Sequence, residues 1–182
     1  MPETPSPPRP DPASLVTLGR VVRGDAAELA AANLRNRGRH MPWIAPPVDE
    51  AGFVAWHQAS LTGPHVNLIA RETASGALVG VVSLENIVGG SFCCADLSYY
   101  GMGETGGRGL MTAAMRLALR HGFLQLGLHR LEAAVRPENG PSARLLKRLG
   151  FRLEGLSPEY IWVDGAWRDH ERYALLRREF TG

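Results

Sequence analysis

The sequence predicts an α+β protein built on a mixed, mostly antiparallel central sheet. Three observations predict it: strand-type segments separated by turns between residues 66 and 100, two strand-then-helix units after them, and an Asp-Gly hairpin near the C-terminus. At 182 residues the chain has the length of one domain and can bury a sizeable core.

Taken in order, Met1-Pro-Glu-Thr-Pro-Ser-Pro-Pro-Arg-Pro-Asp-Pro12 alternates prolines that suit neither ladder nor helix interior. It has neither the basic start nor the apolar centre of a secretory signal. Residues 1–13 therefore read as a disordered lead-in, and residues 14–182 as the folded domain. Leu15 to Val22 is strand-like, and Asp25 with Glu28 three residues later matches a capping box ahead of Leu29, Ala30 and Leu34. After the turn-rich His40-Met-Pro-Trp-Ile-Ala-Pro-Pro47, Asp49 can cap a second helix carrying Phe53, Val54 and Trp56. The meander follows: Val66 to Ala70, a turn at Thr73-Ala-Ser-Gly76, Leu78 to Leu84, a Gly89-Gly90 break, and Phe92 to Tyr100. Periodicity then changes, with Leu110, Ala113, Ala114, Leu117 and Ala118 at helical spacing and Arg108, Thr112, Arg116 and Arg120 on another stripe. Leu128 to Val135 reads as a buried strand. Asn139 offers an N-cap with Pro141 in the first turn, Leu145, Leu146 and Leu149 share a face, and Gly150 stops the helix. Tyr160 to Val163, Asp164-Gly165 and Trp167 to Leu175 make the closing hairpin.

Composition narrows the function. Hydrophobic residues at 45% and charged residues at 21% are globular values, and no apolar run reaches the 18 or so residues a membrane span needs. A formal net charge of +2 gives no field that argues for a nucleic-acid partner. Cys93 and Cys94 are adjacent, face opposite sides of a strand, and cannot form an ordinary disulfide, which fits a reducing cytoplasm. The six histidines show no metal-ligand spacing, so no metal is expected.

The most informative segment is Tyr99-Tyr-Gly-Met-Gly-Glu-Thr-Gly-Gly-Arg-Gly-Leu-Met111, where a strand runs through glycines into a helix start. Bare backbone N–H groups at the positive end of a helix dipole suit a phosphate, and Arg108 adds a forked donor. Three readings compete. In the first, the glycines serve turn geometry alone. In the second, Gly101-Met-Gly-Glu-Thr-Gly106 matches G-x-G-x-x-G, but antiparallel strands precede it and Glu132 sits inside the next strand rather than at its end. The third rests on Gly107-Arg-Gly109. A P-loop is excluded because no Gly-Lys-Ser/Thr closes the loop.

Ala95-Asp-Leu-Ser-Tyr99, Gly107-Arg-Gly-Leu-Met111, His129-Arg-Leu-Glu132, Pro137-Glu-Asn-Gly-Pro-Ser142, Leu149-Gly-Phe-Arg-Leu-Glu-Gly155 and Val163-Asp-Gly-Ala-Trp-Arg-Asp169 occur in family order and spacing. Through them the chain resembles the GNAT acetyltransferases, and within these the ribosomal-protein-alanine N-acetyltransferases of the RimJ/RimL type, over roughly Leu78 to Leu175. The resemblance implies a GNAT fold with helices on both faces of the sheet and a splayed β4/β5 pair ending near Tyr99 and Val135. It implies acetyl-CoA as co-substrate, with its arm in the gap. Backbone N–H groups at Leu97, Ser98 and Tyr99 would pair with the arm and the thioester oxygen. Gly106, Gly107, Arg108, Gly109, Leu110 and Met111 would hold the pyrophosphate, and Asn139 would bind the arm from the other side. Glu104 departs from the Gln or Arg usual at the first loop position, so only the backbone role carries over there.

Acyl transfer to an amine needs a neutral nucleophile, donors for the oxyanion and an acid for the leaving thiolate. The tyrosine that many relatives place seven residues after the asparagine is Leu146 here, and the resemblance passes the acid role to Ser142, with Tyr160 in reserve. Asp96 and Glu159 are the candidate bases, and an α-amine, which ordinarily titrates at about 7.7 to 8.0, asks little of either. The acceptor implied is the N-terminal α-amine of a protein, a ribosomal one in the relatives that the motifs resemble. A small amine such as an antibiotic or polyamine, or a CoA-binding module without turnover, are the rival readings; the oligomeric state is left open. Because the glycine motif lacks the strand context and terminal acid of a dinucleotide site, NAD and NADP should leave the melting temperature unchanged; a thermal shift with either, competed away by neither CoA nor acetyl-CoA, would show that reading to be wrong.

Overall fold

A computed structural model describes residues 11–182, so most of the proline-rich lead-in lies outside the described residues. The chain runs α1 (Pro12–Leu15), β1 (Val16–Arg20), α2 (Ala26–Arg35), α3 (Arg37–His40), α4 (Glu50–Thr62), β2 (Val66–Glu72), β3 (Leu78–Val88), β4 (Cys94–Gly101), α5 (Leu110–Arg120), β5 (Arg130–Val135), α6 (Gly140–Arg148), β6 (Arg152–Val163) and β7 (Ala166–Leu176). Order thus begins earlier than expected, because Pro12 can open a helical turn where its missing N–H costs nothing. The seven strands form one sheet in the order β1-β2-β3-β4-β5-β7-β6. All neighbours are antiparallel except β4 and β5.

Alternation along the strands sends the core to both faces. Val82, Leu84, Leu97, Leu131 and Tyr173 pack with Met115 and Leu119 of α5 and Leu146 of α6. On the opposite face Val81, Ile69 and Tyr100 pack with Leu29 of α2 and Phe53 of α4. Helices therefore cover both faces. β3 is buried on both sides for its first seven residues, as a central strand should be.

Several local signals act where the sequence places them. The Asp49 carboxylate accepts the Gly52 N–H at 2.7 Å and caps α4. Asp164 and Gly165 take φ of 51° and 74°, the left-handed pair that a two-residue hairpin turn requires. The capping box at Asp25 and Glu28 is not formed as expected. A 3₁₀ turn precedes α2, Asp25 accepts the Val22 N–H at 2.8 Å, and both carboxylates bind Arg71 of β2.

The second half of the sheet is tied by charge as well as by ladder. Glu179 binds Arg152, Arg152 binds Glu154, and Glu154 binds Arg130; Arg130 binds Glu132, which binds Arg172. The chain of ion pairs crosses β6, β5 and β7. β6 is the outer strand, and its pairing with β7 slips at two places, between Leu153 and Gly155 and between Ser157 and Ile161. Its side chains Leu153, Leu156 and Trp162 are exposed.

Hydrogen bonds from Arg130 first, then from Arg152, hold the Glu154 carboxyl at about 2, against an ordinary 4.5. A depressed carboxyl stabilises the fold above its unfolded pKa and loses that effect as pH falls through the folded value. The melting temperature of Glu154→Gln should therefore lie below that of the parent at neutral pH, with the gap closing between about pH 4.5 and 2; parallel curves down to pH 2 would remove Glu154 from the network.

Candidate active site

β4 and β5 pair over three positions only, Cys94 with Arg130, Ala95 with Leu131 and Asp96 with Glu132. Beyond them the strands part. A cleft of about 630 Å³ opens on one side of the fork, and a cavity of about 100 Å³ on the other. Trp43, Ile44, Tyr99, Asn139 and Ser142 line both, so the two spaces meet there.

At the meeting point stand two hydroxyls. Tyr99 Oη lies 2.6 Å from Ser142 Oγ, spanning from β4 to the first turn of α6. That turn is fixed by the Asn139 Oδ1, which accepts the Ser142 N–H at 3.3 Å. Burial pushes the Tyr99 phenol up to about 12, partly offset by the Ser142 hydrogen bond, so it stays protonated. The couple can pass a proton and cannot act as a resting base. Leu146, at the position usual for the acidic tyrosine, is fully buried in the core, which excludes it from this role.

The larger cleft is built around the start of α5. Gly107 and Gly109 have φ of 78° and 77°, and a Cβ at either would meet nothing within 4 Å. The glycines thus serve left-handed backbone, with their N–H groups uncovered. Gly109 caps α5 with no side-chain hydrogen bond, so the helix N–H groups keep their positive end for a ligand. Arg39 and Arg148 add cations to the same wall. A diphosphate-bearing arm fits this donor set: uncapped amides at one end, the open ladder edge of β4 along the middle, and Asn139 opposite.

What holds the loop is far from it in sequence. Asn36 Oδ1 accepts the Gly103 N–H at 2.8 Å, and its Nδ2 donates to Glu104 Oε2 at 3.0 Å. Arg35 also reaches Glu104, so the unusual acid at the first loop position tethers the loop to α2 and the adjoining residue. His40 is buried and its Nε2 lies 3.2 Å from the Gly101 carbonyl, which can only accept; the ring is therefore protonated at Nε2. Desolvation lowers its pKa and keeps it neutral, and its Nδ1 has no partner among the described residues.

Among the residues predicted for the site, Gly106, Gly107, Gly109, Leu110 and Met111 line the larger cleft, and Leu97 and Ser98 the smaller cavity. Tyr99, Asn139 and Ser142 line both. Three residues stand elsewhere. Arg108 forks onto Glu72 at 2.7 and 3.2 Å. Asp96 accepts from Asn86 Nδ2 at 2.9 Å, and Glu159 sits with φ of 46° in the β6 irregularity, its N–H donated to Asp169. None of these three lines either space. Sequence reasoning named Trp43 as either pocket wall or core, and it lines both spaces; it did not find the Tyr99 side chain, Asn36, Arg39 or His170. None of these has a local signal that tells which partner across the fold it meets.

Residues 16–152 match a family described as the acetyltransferase (GNAT) domain. The chain belongs to the GNAT family. The structure of Mycobacterium smegmatis RimJ in complex with CoA-disulfide is similar to this GNAT chain at a TM-score of 0.84 and 32% identity, covering 94% of this chain and 86% of that one. The Escherichia coli [ribosomal protein uS5]-alanine N-acetyltransferase is 38% identical over 104 residues, 57% of this chain and 54% of that protein. The chain thus spans about half the length of curated relatives such as this. Vibrio cholerae spermidine N-acetyltransferase in complex with CoA and spermine has the same fold, at a TM-score of 0.79 and 23% identity, covering 93% of this GNAT chain and 99% of that one.

The loop geometry carries a test of its own. Asn36→Ala should remove the bonds that this buried amide makes to the Gly103 N–H and to the Glu104 carboxylate and cost about 1 to 3 kcal/mol of stability in urea unfolding; a cost within about 0.3 kcal/mol would mean that the loop holds itself.

Proposed function

We propose that the protein is an acetyl-CoA-dependent N-acetyltransferase whose acceptor is the α-amine of a protein N-terminus. Fold and family supply the first half of the reading. The observation that carries the second is the make-up of the smaller cavity: among the described residues no carboxylate lines it, and Arg136 does. A polyamine carries further ammonium groups that need anions, and a cation beside them would repel. A peptide N-terminus brings a single charge, followed by amide carbonyls that an arginine can bind. The relatives named as ribosomal-protein-alanine acetyltransferases support the same choice.

In this reading each residue has a task. The uncapped start of α5 and the glycines from Gly106 to Gly109 receive the diphosphate. The β4 backbone from Leu97 to Tyr99 orients the arm, Asn139 holds it from α6, and its thioester meets the acceptor at the fork. Bound there, acetyl-CoA supplies the activated acyl group. Ser142 Oγ gives the departing thiolate its proton and recovers one along the bond from Tyr99. Neither Asp96 nor Glu159 lines the cleft or the cavity, so neither reaches the acceptor amine directly. Arg108 adds a phosphate contact by leaving Glu72.

Thiol release from acetyl-CoA tests the acceptor: peptides starting with alanine should exceed spermidine by about tenfold or more in kcat/KM, and the reverse order would replace the peptide reading by the small-amine one. With the better acceptor, Ser142→Ala should lower kcat by about a hundredfold with little change in KM for acetyl-CoA. An unchanged kcat would take the proton from another group.

A further inference from the structure

We infer that His170 is the residue that deprotonates the acceptor ammonium; the inference rests on the acetyltransferase reading above. His170 lies on β7, is only 5% exposed, and lines the smaller cavity together with Ser98, Tyr99 and Ser142. Its Nδ1 lies 2.9 Å from the Arg168 backbone carbonyl. A carbonyl only accepts, so Nδ1 carries the hydrogen and Nε2 keeps its lone pair. The basic nitrogen of the ring is thereby Nε2, and the ring lines the cavity. Among the described residues, no other side chain lining that space carries a basic lone pair: the rest are apolar, hydroxyl, amide or guanidinium groups.

The neighbours of the ring leave that nitrogen free. From β6, Tyr160 presents an edge-on ring at 6.2 Å between centroids, and its own face is covered by Arg172 at 4.5 Å. From the end of β5, Arg136 lies over Trp43 and pairs with Glu138. From β7 itself, Glu171 is turned to the Tyr173 hydroxyl at 2.7 Å. From β4 and α6, Tyr99 and Ser142 hold each other. With no carboxylate among the described residues of the lining, the ring is the acceptor that an incoming ammonium meets there.

The step balances. Nε2 takes one proton from R–NH3⁺, leaving R–NH2 and an imidazolium. The amine lone pair forms the C–N bond with the acetyl carbon as the C–S bond breaks. The thiolate takes a proton from the Ser142 and Tyr99 couple, which is made good by the second proton the nitrogen sheds, and the imidazolium returns its own to solvent. Nothing is oxidised or reduced.

His170→Asn tests this, because its amide can still donate to the Arg168 carbonyl while offering no base. Its kcat/KM for an alanine-starting peptide should fall about a hundredfold and the acidic limb of the pH profile should flatten, with CoA affinity by calorimetry unchanged. His170→Gln serves if that variant fails to fold. A variant within about threefold of the parent with the same acidic limb overturns the assignment, as does loss of the limb in Asp96→Asn or Glu159→Gln. Long-range nitrogen NMR of the parent protein reads the ring without any acceptor: hydrogen on Nδ1 with bare Nε2 supports the inference, and the opposite tautomer overturns it. Tight CoA binding with no amine acetylated would instead count against the acetyltransferase reading.

Discussion

Everything in this molecule depends on where β4 and β5 stop pairing. Parallel strands buried in a sheet ordinarily run on together, because an unpaired backbone group away from water is expensive. Here the ladder lasts from Cys94 to Asp96 and then ends, although β4 continues to Gly101 and β5 to Val135. Across the opening the first turn of α6 puts Ser142 against Tyr99. The β5-facing edge of β4 beyond Asp96 is left without a strand, and a ligand with amides of its own is the natural partner for it.

The sheet consequently consists of two tied halves with a narrow join. β1 to β4 form a continuous antiparallel set, with α2 and α4 on one face and α5 on the other. β5 has only three positions shared with β4 but six with β7, from Arg130–Leu176 to Val135–Glu171. The ion-pair chain from Glu179 to Arg172 lies wholly in this second half. It reinforces β5 on the side where β5 still has neighbours. Exposed pairs taken singly contribute little; a connected series with forked arginines holds geometry better than its members would.

Features satisfied within a few residues were legible in the sequence. Asp49 caps α4, Asn139 caps α6, Gly150 takes φ of 94° after α6, and Asp164-Gly165 turns the hairpin, each by a contact or conformation local to it. Partnerships over long separations were not. Asp25 and Glu28 look like a local box and instead bind Arg71, more than forty residues on. Glu104 looks like a lost side-chain function until Asn36 is seen beside it. Tyr99 was expected to act through its backbone because nothing in its own strand shows that Ser142 lies opposite. Arg108 shows the converse: the motif is local, while the Glu72 that occupies its guanidinium comes from the end of β2.

The outer strand has a consequence of a different kind. β6 carries Leu153, Leu156, Ile161 and Trp162 facing water on a free sheet edge, the arrangement by which one folded molecule adds to the next. Pro158 lacks the N–H that such an addition needs, and the register slip that contains it, between Ser157 and Ile161, with a second between Leu153 and Gly155, bends the edge out of line. The irregularity that sets Glu159 at positive φ thus also spoils this apolar edge as a template for another strand.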